Sequence, residues 1–593
     1  MVAGATINCN HGMRFEAPHE LATHQKMGKP LGGRLKRWDG MNTGNVKPVL
    51  QNVLRSAEDC KGTQRELLLQ HLIMPNKSCE FGKNFGFSSI RSVSDYQHAV
   101  PVCDYEDLRD PILRMARGES NILTSEPVRR FFITSGSMAV PKYIPVTPSF
   151  IRDKSRAFQI FWDLVMEAHP GIVRNGLIFN FADTGDDQRT PGGLPCSSEN
   201  SFWNAFWRGG AGKGQRPLPR EILKIGDSEA RMYTIARIML ETDLTVPMAS
   251  NPSTLVALAD VIQRNATRLI AEVRSGGLTA GLSVSKEILA YMRSHFPGNP
   301  IRARELEVIL NDGGALPAAR VWPNLQLAVC WRSPAVAPYM DLLHPFLAGI
   351  PHRDYVTMAS EGIMAIPLQD EVSGGILPIH THFFEFIPEE SWNEPCPATL
   401  LGHELEPLGN YVVVLSTSAG MYRYSIGDVV RVRGFVGSTP FIEFLHRAGH
   451  TCSLTGEKLT ESQVADAVSD VSGRMRLVIH GFTLSPAVRP FPHYVLSVEF
   501  ESPYSKRQLN DFLLSLDHDL GLRNIEYQSK RRSRRLGSPE LYVLRPGSYA
   551  QLRQQRIRAG ASDAQVKITG LIRDIDWHQQ FQIIERISYE SAA

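Results

Sequence analysis

Apolar positions recur at two periods along this chain. In Ser253-Thr254-Leu255-Val256-Ala257-Leu258-Ala259-Asp260-Val261-Ile262 they follow helical spacing, and Asn251-Pro252-Ser253 ahead of them supplies helix-start chemistry. Between such segments lie short apolar runs, among them Leu177-Ile178-Phe179-Asn180-Phe181, Leu325-Gln326-Leu327-Ala328-Val329 and Tyr411-Val412-Val413-Val414-Leu415. Helices alternating with buried strands predict a large α/β body. From about Gly409 strands and tight turns take over, and Tyr422 to Val432 alternates at period two around a polar turn, Ile426-Gly427-Asp428-Val429. Beyond Arg447 the pattern predicts a smaller α+β unit, with helices near Glu461–Val468 and Lys506–Leu516 and strands at Tyr494–Phe500 and Glu540–Leu544. The expected architecture is therefore a multilayer N-terminal body of mixed sheets and helices, residues 1–446, and an α+β C-terminal domain, residues 447–593, hinged near Arg447.

Composition narrows the function classes. A chain of 593 residues is long enough for three to four ordinary cores, or for one large body with an appendage. Its net charge of +3 is small for that length, so neither a nucleic-acid partner nor an acidic one is expected. No apolar run reaches membrane-spanning length, and Met1 to Glu16 has no secretory apolar stretch. The expected location is the cytoplasm, with no membrane partner. The eight cysteines form no C-x-x-C pair, which argues against a disulfide framework or a zinc site. His380-Thr381-His382 would put two imidazoles on one face of a strand, but no third ligand accompanies them, so no transition metal is assigned.

Candidate chemistry begins at Thr134-Ser135-Gly136-Ser137-Met138-Ala139-Val140-Pro141-Lys142, a turn between two short β-prone runs. Hydroxyls and backbone N–H groups there suit phosphate oxygens, Gly136 permits close approach and Lys142 adds positive charge. The segment is not a Walker A loop and, alone, reads first as an ordinary hairpin. Gly209-Gly210-Ala211-Gly212-Lys213-Gly214 lacks a strand-to-helix setting and reads as a surface loop. Three more groups stand out. Glu361 in Ala359-Ser360-Glu361-Gly362 can offer Mg2+ an oxygen at a strand end. Asp428 can accept both hydroxyls of a ribose, or merely close an Asx-turn. Lys458 in Gly456-Glu457-Lys458 enters a helix that Thr460 would cap.

Taken in order, the hydroxyl-rich loop, the acid, the aspartate, Arg447 and the C-terminal lysine match enzymes that activate a carboxylate with ATP. At this level the chain resembles the Gretchen Hagen acyl-acid amido synthetases, the auxin-responsive branch of the acyl-adenylate-forming superfamily. The likeness runs from about Phe81 to Ile572. It includes Val100-Pro101-Val102-Cys103-Asp104-Tyr105-Glu106, Lys142-Tyr143-Ile144-Pro145, Phe384-Glu385-Phe386-Ile387-Pro388, Tyr422-Arg423-Tyr424, Gly456-Glu457-Lys458 and Gln565-Val566-Lys567.

The resemblance implies that Thr134, Ser135, Gly136, Ser137 and Lys142 meet the ATP phosphates, with Ser360 and Tyr424 near the nucleotide. It implies Glu361 beside Mg2+, and Asp428 with Arg447 on the ribose. Lys458 and Lys567 would be the catalytic lysines, carried by a mobile C-terminal domain pivoting over Arg447 to Lys458. The implied reaction joins a small carboxylic acid to an amine or amino acid through an acyl-adenylate. An alcohol, thiol or water acceptor, or nucleotide binding without turnover, stay open alternatives, as do the identity of the acid and the oligomeric state. Two departures from the family pattern bear on nucleotide binding: Ala139-Val140 replaces a second glycine, and Thr357 stands where relatives carry a tyrosine, with Tyr355 or Tyr424 as substitutes. Trp203, Phe206, Trp207, Trp322, Trp331 and Tyr339 are candidates for an aromatic pocket, although large aromatics at these spacings are more often core. The basic run Lys530-Arg531-Arg532-Ser533-Arg534-Arg535 has no aromatic platform and reads as a solvated face.

Overall fold

Four short strands pair side by side in parallel: Leu177–Asn180, Leu244–Met248, Ala328–Val329 and His352–Arg353. Every residue of Leu244–Met248 is buried, because both faces of this sheet are covered and alternation is therefore lost. Leu177 and Phe179 pack into a helical layer that includes Ser228–Leu240 and Ser253–Arg264. Ile178 and Val246 pack the other way, against Phe158 and Phe161 of the long helix Pro148–Ala168. The run expected over Leu325–Val329 contributes only Ala328–Val329 to the sheet. These statements rest on a computed structural model that describes residues 48–593 except 135–141, 173–176, 182–187, 204–219, 224, 279–280, 334–335, 393, 449–450, 550, 553–554, 556–569, 576 and 590–593.

A second sheet of four strands brings Lys142–Val146 antiparallel to Arg130–Thr134, with Pro195–Ser197 and Gln188–Arg189 beyond. A third sheet of six antiparallel strands carries Phe383–Pro388, Asn410–Ser416, Tyr424–Val436 and Thr439–Arg447. Here a buried clamp joins two of the sequence motifs. Arg423 donates from Nε and Nη2 to both oxygens of Glu385 at 3.0 Å, and from Nη1 to the carbonyls of Gln97 and Val100 at 2.8 and 2.7 Å. Cys103 then exchanges backbone bonds with Arg423 and Ser425, so the segment after Val100 is laid along the start of the sheet strand.

The polar turn expected at Ile426-Gly427-Asp428-Val429 is instead part of the continuous strand Tyr424–Val436. Gly427 has φ of 73°, and the pairing register slips between Val429 and Val430, the mark of a bulge that re-aims side chains without ending the strand.

After Arg447 comes a four-stranded sheet, Ile479–Ala487, His493–Phe500, Glu540–Leu544 and Ile583–Ile587, packed on helices Glu461–Met475 and Lys506–Arg523. Both helices run past their expected ends because Val471 and Leu520 continue the buried stripe. Thr460 caps the first in a reciprocal box with Gln463. Among the described residues no helix is long and apolar enough to cross a membrane.

Candidate active site

Ser360 and Glu361 form the tip of an antiparallel hairpin between Thr357–Ala359 and Gly362–Ala365. Beneath it lies Lys154 of helix Pro148–Ala168, wholly buried, with Nζ donating to the Ala359 carbonyl at 2.8 Å and reaching that of Ser360 at 3.5 Å. Lys154 also pairs with Glu199 Oε1, which accepts from Trp203 Nε1 at 2.8 Å. The sequence expectations include neither Lys154 nor Glu199. A signal for the lysine exists: it sits in the buried stripe of Phe150, Ala157, Phe158 and Phe161, where a charge requires a partner.

Glu361 faces the bulged strand. Tyr424 donates to its Oε1 at 3.5 Å, its one hydrogen bond among the described residues. Asp428 pairs in register with Arg447, whose Nη1 stands 3.9 Å from Asp428 Oδ1 and whose Nη2 donates to the Ile426 carbonyl at 2.8 Å. Lys142 opens its strand opposite Thr134, and its ammonium lies 4.8 Å from the centroid of Tyr105. Tyr105 is fixed in turn by a 2.9 Å bond from the Tyr143 N–H and by the Asp104 cap of helix Tyr105–Ala116. The segment Val100 to Glu106 thus mounts both Lys142 and Tyr424.

Lys458 projects from the C-terminal side. Buried Glu457 braces the preceding loop by accepting from the N–H groups of Leu454 and Thr455 at 2.6 and 2.7 Å and from the Tyr494 phenol. Asn524 donates to the Glu457 carbonyl at 2.8 Å.

The charges feel one another. Burial raises the Asp428 carboxyl, against Arg447 and Lys458. Burial and then Arg447 depress the Lys142 ammonium, while Glu361 opposes them. Crowding and then Arg447 depress Lys458, against Asp428 and Glu361; because Lys458 remains exposed to the cleft, water tempers the effect. Five of the expected residues, Lys142, Glu361, Asp428, Arg447 and Lys458, therefore occupy one electrostatic neighbourhood although they are spread from position 142 to position 458.

Alongside runs a cleft of about 480 Å³ that Ser360 and Lys458 both line. Its walls include Phe158, Trp162, Trp203, Trp331 and Tyr355 from the body, and Lys530 and Arg535 from the C-terminal side. Of the aromatic candidates, Trp203 and Trp331 face the cleft. Trp322 lies in the helical core, and Tyr339 is buried with its hydroxyl on the Leu454 carbonyl at 2.8 Å. The basic run is divided: Arg531 pairs with Asp517 at 2.8 Å, Arg534 with Glu229, and Lys530 with Glu526 at 3.4 Å. His380 and His382 sit in a turn, not on a strand face. His382 is buried against Phe150 and Phe384, and burial pushes its imidazole down to about 3. Among the described residues no three metal-binding side chains converge. The lone Glu361 carboxylate, without an ion-pair partner there, fits Mg2+ that keeps its other ligands from phosphate and water.

Ser135, Gly136, Ser137, Lys567, Phe206, Trp207, Ala139 and Val140 lie outside the described residues, as does the side chain of Thr134. Models of the GH3 family N-terminal, central and C-terminal domains match residues 49–352, 375–447 and 462–575, covering well over half of the chain. The chain belongs to the GH3 family. It is 26% identical over 534 residues to indole-3-acetic acid-amido synthetase GH3.3 of Arabidopsis thaliana, covering 84% of this chain and 88% of that one. To jasmonoyl--L-amino acid synthetase JAR6 of Nicotiana attenuata it is 24% identical over 552 residues, covering 87% and 92%. A solved GH3 structure, the AtGH3.15 acyl acid amido synthetase in complex with 2,4-DB, aligns with TM-score 0.60 and 20% identity over 91% of this chain and 96% of that one. The GH3 fold, an N-terminal body followed by a C-terminal unit, is therefore shared.

Proposed function

We propose that this protein is an ATP-dependent acyl-acid amido synthetase. It adenylates a small carboxylic acid, releases pyrophosphate, and passes the acyl group to an amine, in the first instance an amino acid. The observation that carries this reading is the meeting of Lys142, Glu361, Asp428, Arg447 and Lys458 at one edge of an aromatic-walled cleft, in a chain of the GH3 family.

In the first half-reaction a carboxylate oxygen attacks the α-phosphorus and pyrophosphate leaves. Negative charge then builds on the α-phosphate, and the ammonium groups of Lys458 and Lys567 offset it. Asp428 accepts the ribose hydroxyls, and Arg447, paired in register with it and with Nη1 at 3.9 Å from its carboxylate, holds the ribose with it. The loop at 134–137 and Lys142 hold the phosphates, with Ser360 and Tyr424 beside the nucleotide. Glu361 would hold Mg2+, which would supply neutralisation of phosphate charge. In the second half-reaction the acceptor amine attacks the acyl carbonyl and AMP leaves. The two steps need different groups at the same place, and rotation of residues 447–593 about Arg447 to Lys458 supplies them. The cytoplasm is the proposed location, and the eight cysteines, scattered without any C-x-x-C pair, support it.

Acid-dependent exchange of labelled pyrophosphate into ATP tests the first step. Exchange with at least one acid of a broad panel is expected, with AMP and an amide by mass spectrometry once amino acids are added. No exchange with any acid rejects adenylation.

A further inference from the structure

The wall of the cleft is aromatic and apolar around Phe158, Trp162, Trp203 and Tyr355, yet one carboxylate stands among them. Glu199 is 7% exposed. The two donors that engage it, Lys154 Nζ and Trp203 Nε1, meet the same oxygen, Oε1. Oε2 accepts from no donor among the described residues, on a side chain that lines the cleft. A carboxylate oxygen in such a wall is costly unless a donor meets it.

The charge of that donor is constrained. Lys154 Nζ is held by the Ala359 carbonyl at 2.8 Å and lies 5.3 and 5.8 Å from the ring centroids of Phe150 and Phe132, surroundings that favour the ammonium. Burial pushes Glu199 up and Lys154 down, and their mutual attraction opposes both shifts. The pair is therefore neutral as a unit. A second anionic group on the ligand would face the Glu199 carboxylate, and a cationic one would duplicate Lys154. A neutral O–H or N–H supplies the missing donor without adding charge to an apolar wall.

We infer that the acid's aromatic end occupies this cleft and that Glu199 determines specificity there: through Oε2 it accepts a hydrogen bond from a neutral O–H or N–H on that end of the acid. The inference rests on the adenylation reading above and refines its acid. The favoured class is an aromatic acid bearing a ring hydroxyl or a ring N–H.

Matched acids test it on the unaltered protein. Hydroxyphenylacetic acids are compared with their methoxyphenyl and phenyl counterparts at each ring position, and indolylacetic acid with its N-methyl derivative, by kcat/KM for pyrophosphate exchange. In at least one pair the donor-bearing acid should exceed its partner by about 10- to 100-fold, the worth of one hydrogen bond to a charged group. Equal rates in every pair overturn the inference and leave adenylation standing; no exchange with any of these acids overturns the inference, and adenylation falls with it only if the broad acid panel gives none either. Glu199→Leu alone would strand Lys154, so the second measurement uses Lys154→Met/Glu199→Leu, which removes the pair together. Loss of discrimination in that variant supports the assignment, and its persistence overturns it. Should the variant not fold, the matched acids on the unaltered protein decide.

Discussion

Lys458 is exposed at the cleft edge, so its removal tests chemistry and not folding. Lys458→Ala removes an exposed ammonium while leaving Glu457 and its bonds intact. Pyrophosphate exchange should fall by roughly two to three orders of magnitude with the melting temperature unchanged; a drop of less than fivefold removes Lys458 from the chemistry. His382 gives the opposite kind of prediction, stability without chemistry. Its imidazole is neutral when folded, with its pKa pushed from 6.5 to about 3 by burial and then by Lys154, whereas the unfolded chain binds the proton below 6.5. The unfolded state thus holds more protons between those values, and stability is lost as pH falls through that window, approaching about 1.4 kcal/mol per pH unit. Urea unfolding at pH 7, 6 and 5 should show His382→Leu losing less stability than the parent; parallel losses would mean that the ring is protonated in the fold. Sequence alone exposes Glu361, Asp428 and Lys458 because each is a charge beside a glycine or in a turn-like setting: at a strand end, in a Gly-Asp pair and at a helix entry. Glu199 has no such signature: it lies in the polar stretch Ser197-Ser198-Glu199-Asn200, and its importance comes only from Lys154, 45 positions earlier.

At the scale of elements, the bulge at Gly427 matters most. Alternating residues from Tyr422 to Val432 identify a strand, but a glycine-aspartate pair is equally the signature of a turn, and only pairing with Thr439–Arg447 on one side and Asn410–Ser416 on the other keeps the strand continuous. Pairing partners so remote in sequence leave no local trace, which is why the strand was legible and its continuity was not. The helices past Arg447 were legible in position and short in length for a related reason, since their last turns are held by tertiary packing of Val471 and Leu520. A Cβ at position 427 has room, its nearest neighbour being Arg447 Nε at 3.8 Å, so Gly427→Ala pays only for the φ of 73°. The expected loss is about 1–2 kcal/mol in chemical denaturation, together with weaker ATP binding by calorimetry as Asp428 turns away. Gly427→Asn, which tolerates that backbone region, should recover most of both. Wild-type binding in the alanine variant would show that the bulge does not aim Asp428.

Across the whole molecule, polar ties of very different strength join the body to the residues after Arg447. Arg573 donates to the carbonyls of Arg447 and Thr451 and meets His446 at 3.0 Å, gripping the segment about which rotation is proposed. Tyr339 reaches the Leu454 carbonyl from a buried position. The pair between Arg534 and Glu229 is different, because both side chains are about half exposed, at 52% and 48%. An exposed pair contributes about 0.2–1 kcal/mol, too little to hold the fold but enough to shift a two-state rotation about 1.4- to 5-fold. If the arrangement described here is the one used for only one half-reaction, Glu229→Gln weakens it relative to the other. Single-turnover measurements of AMP-anhydride formation and of amide release should then move in opposite directions by that factor, with no change in melting temperature. Salt should produce the same shift in the parent and little in the variant, since screening and substitution remove the same attraction. Equal changes in both half-reactions, or none in either, would show that this contact does not distinguish two positions of the C-terminal unit.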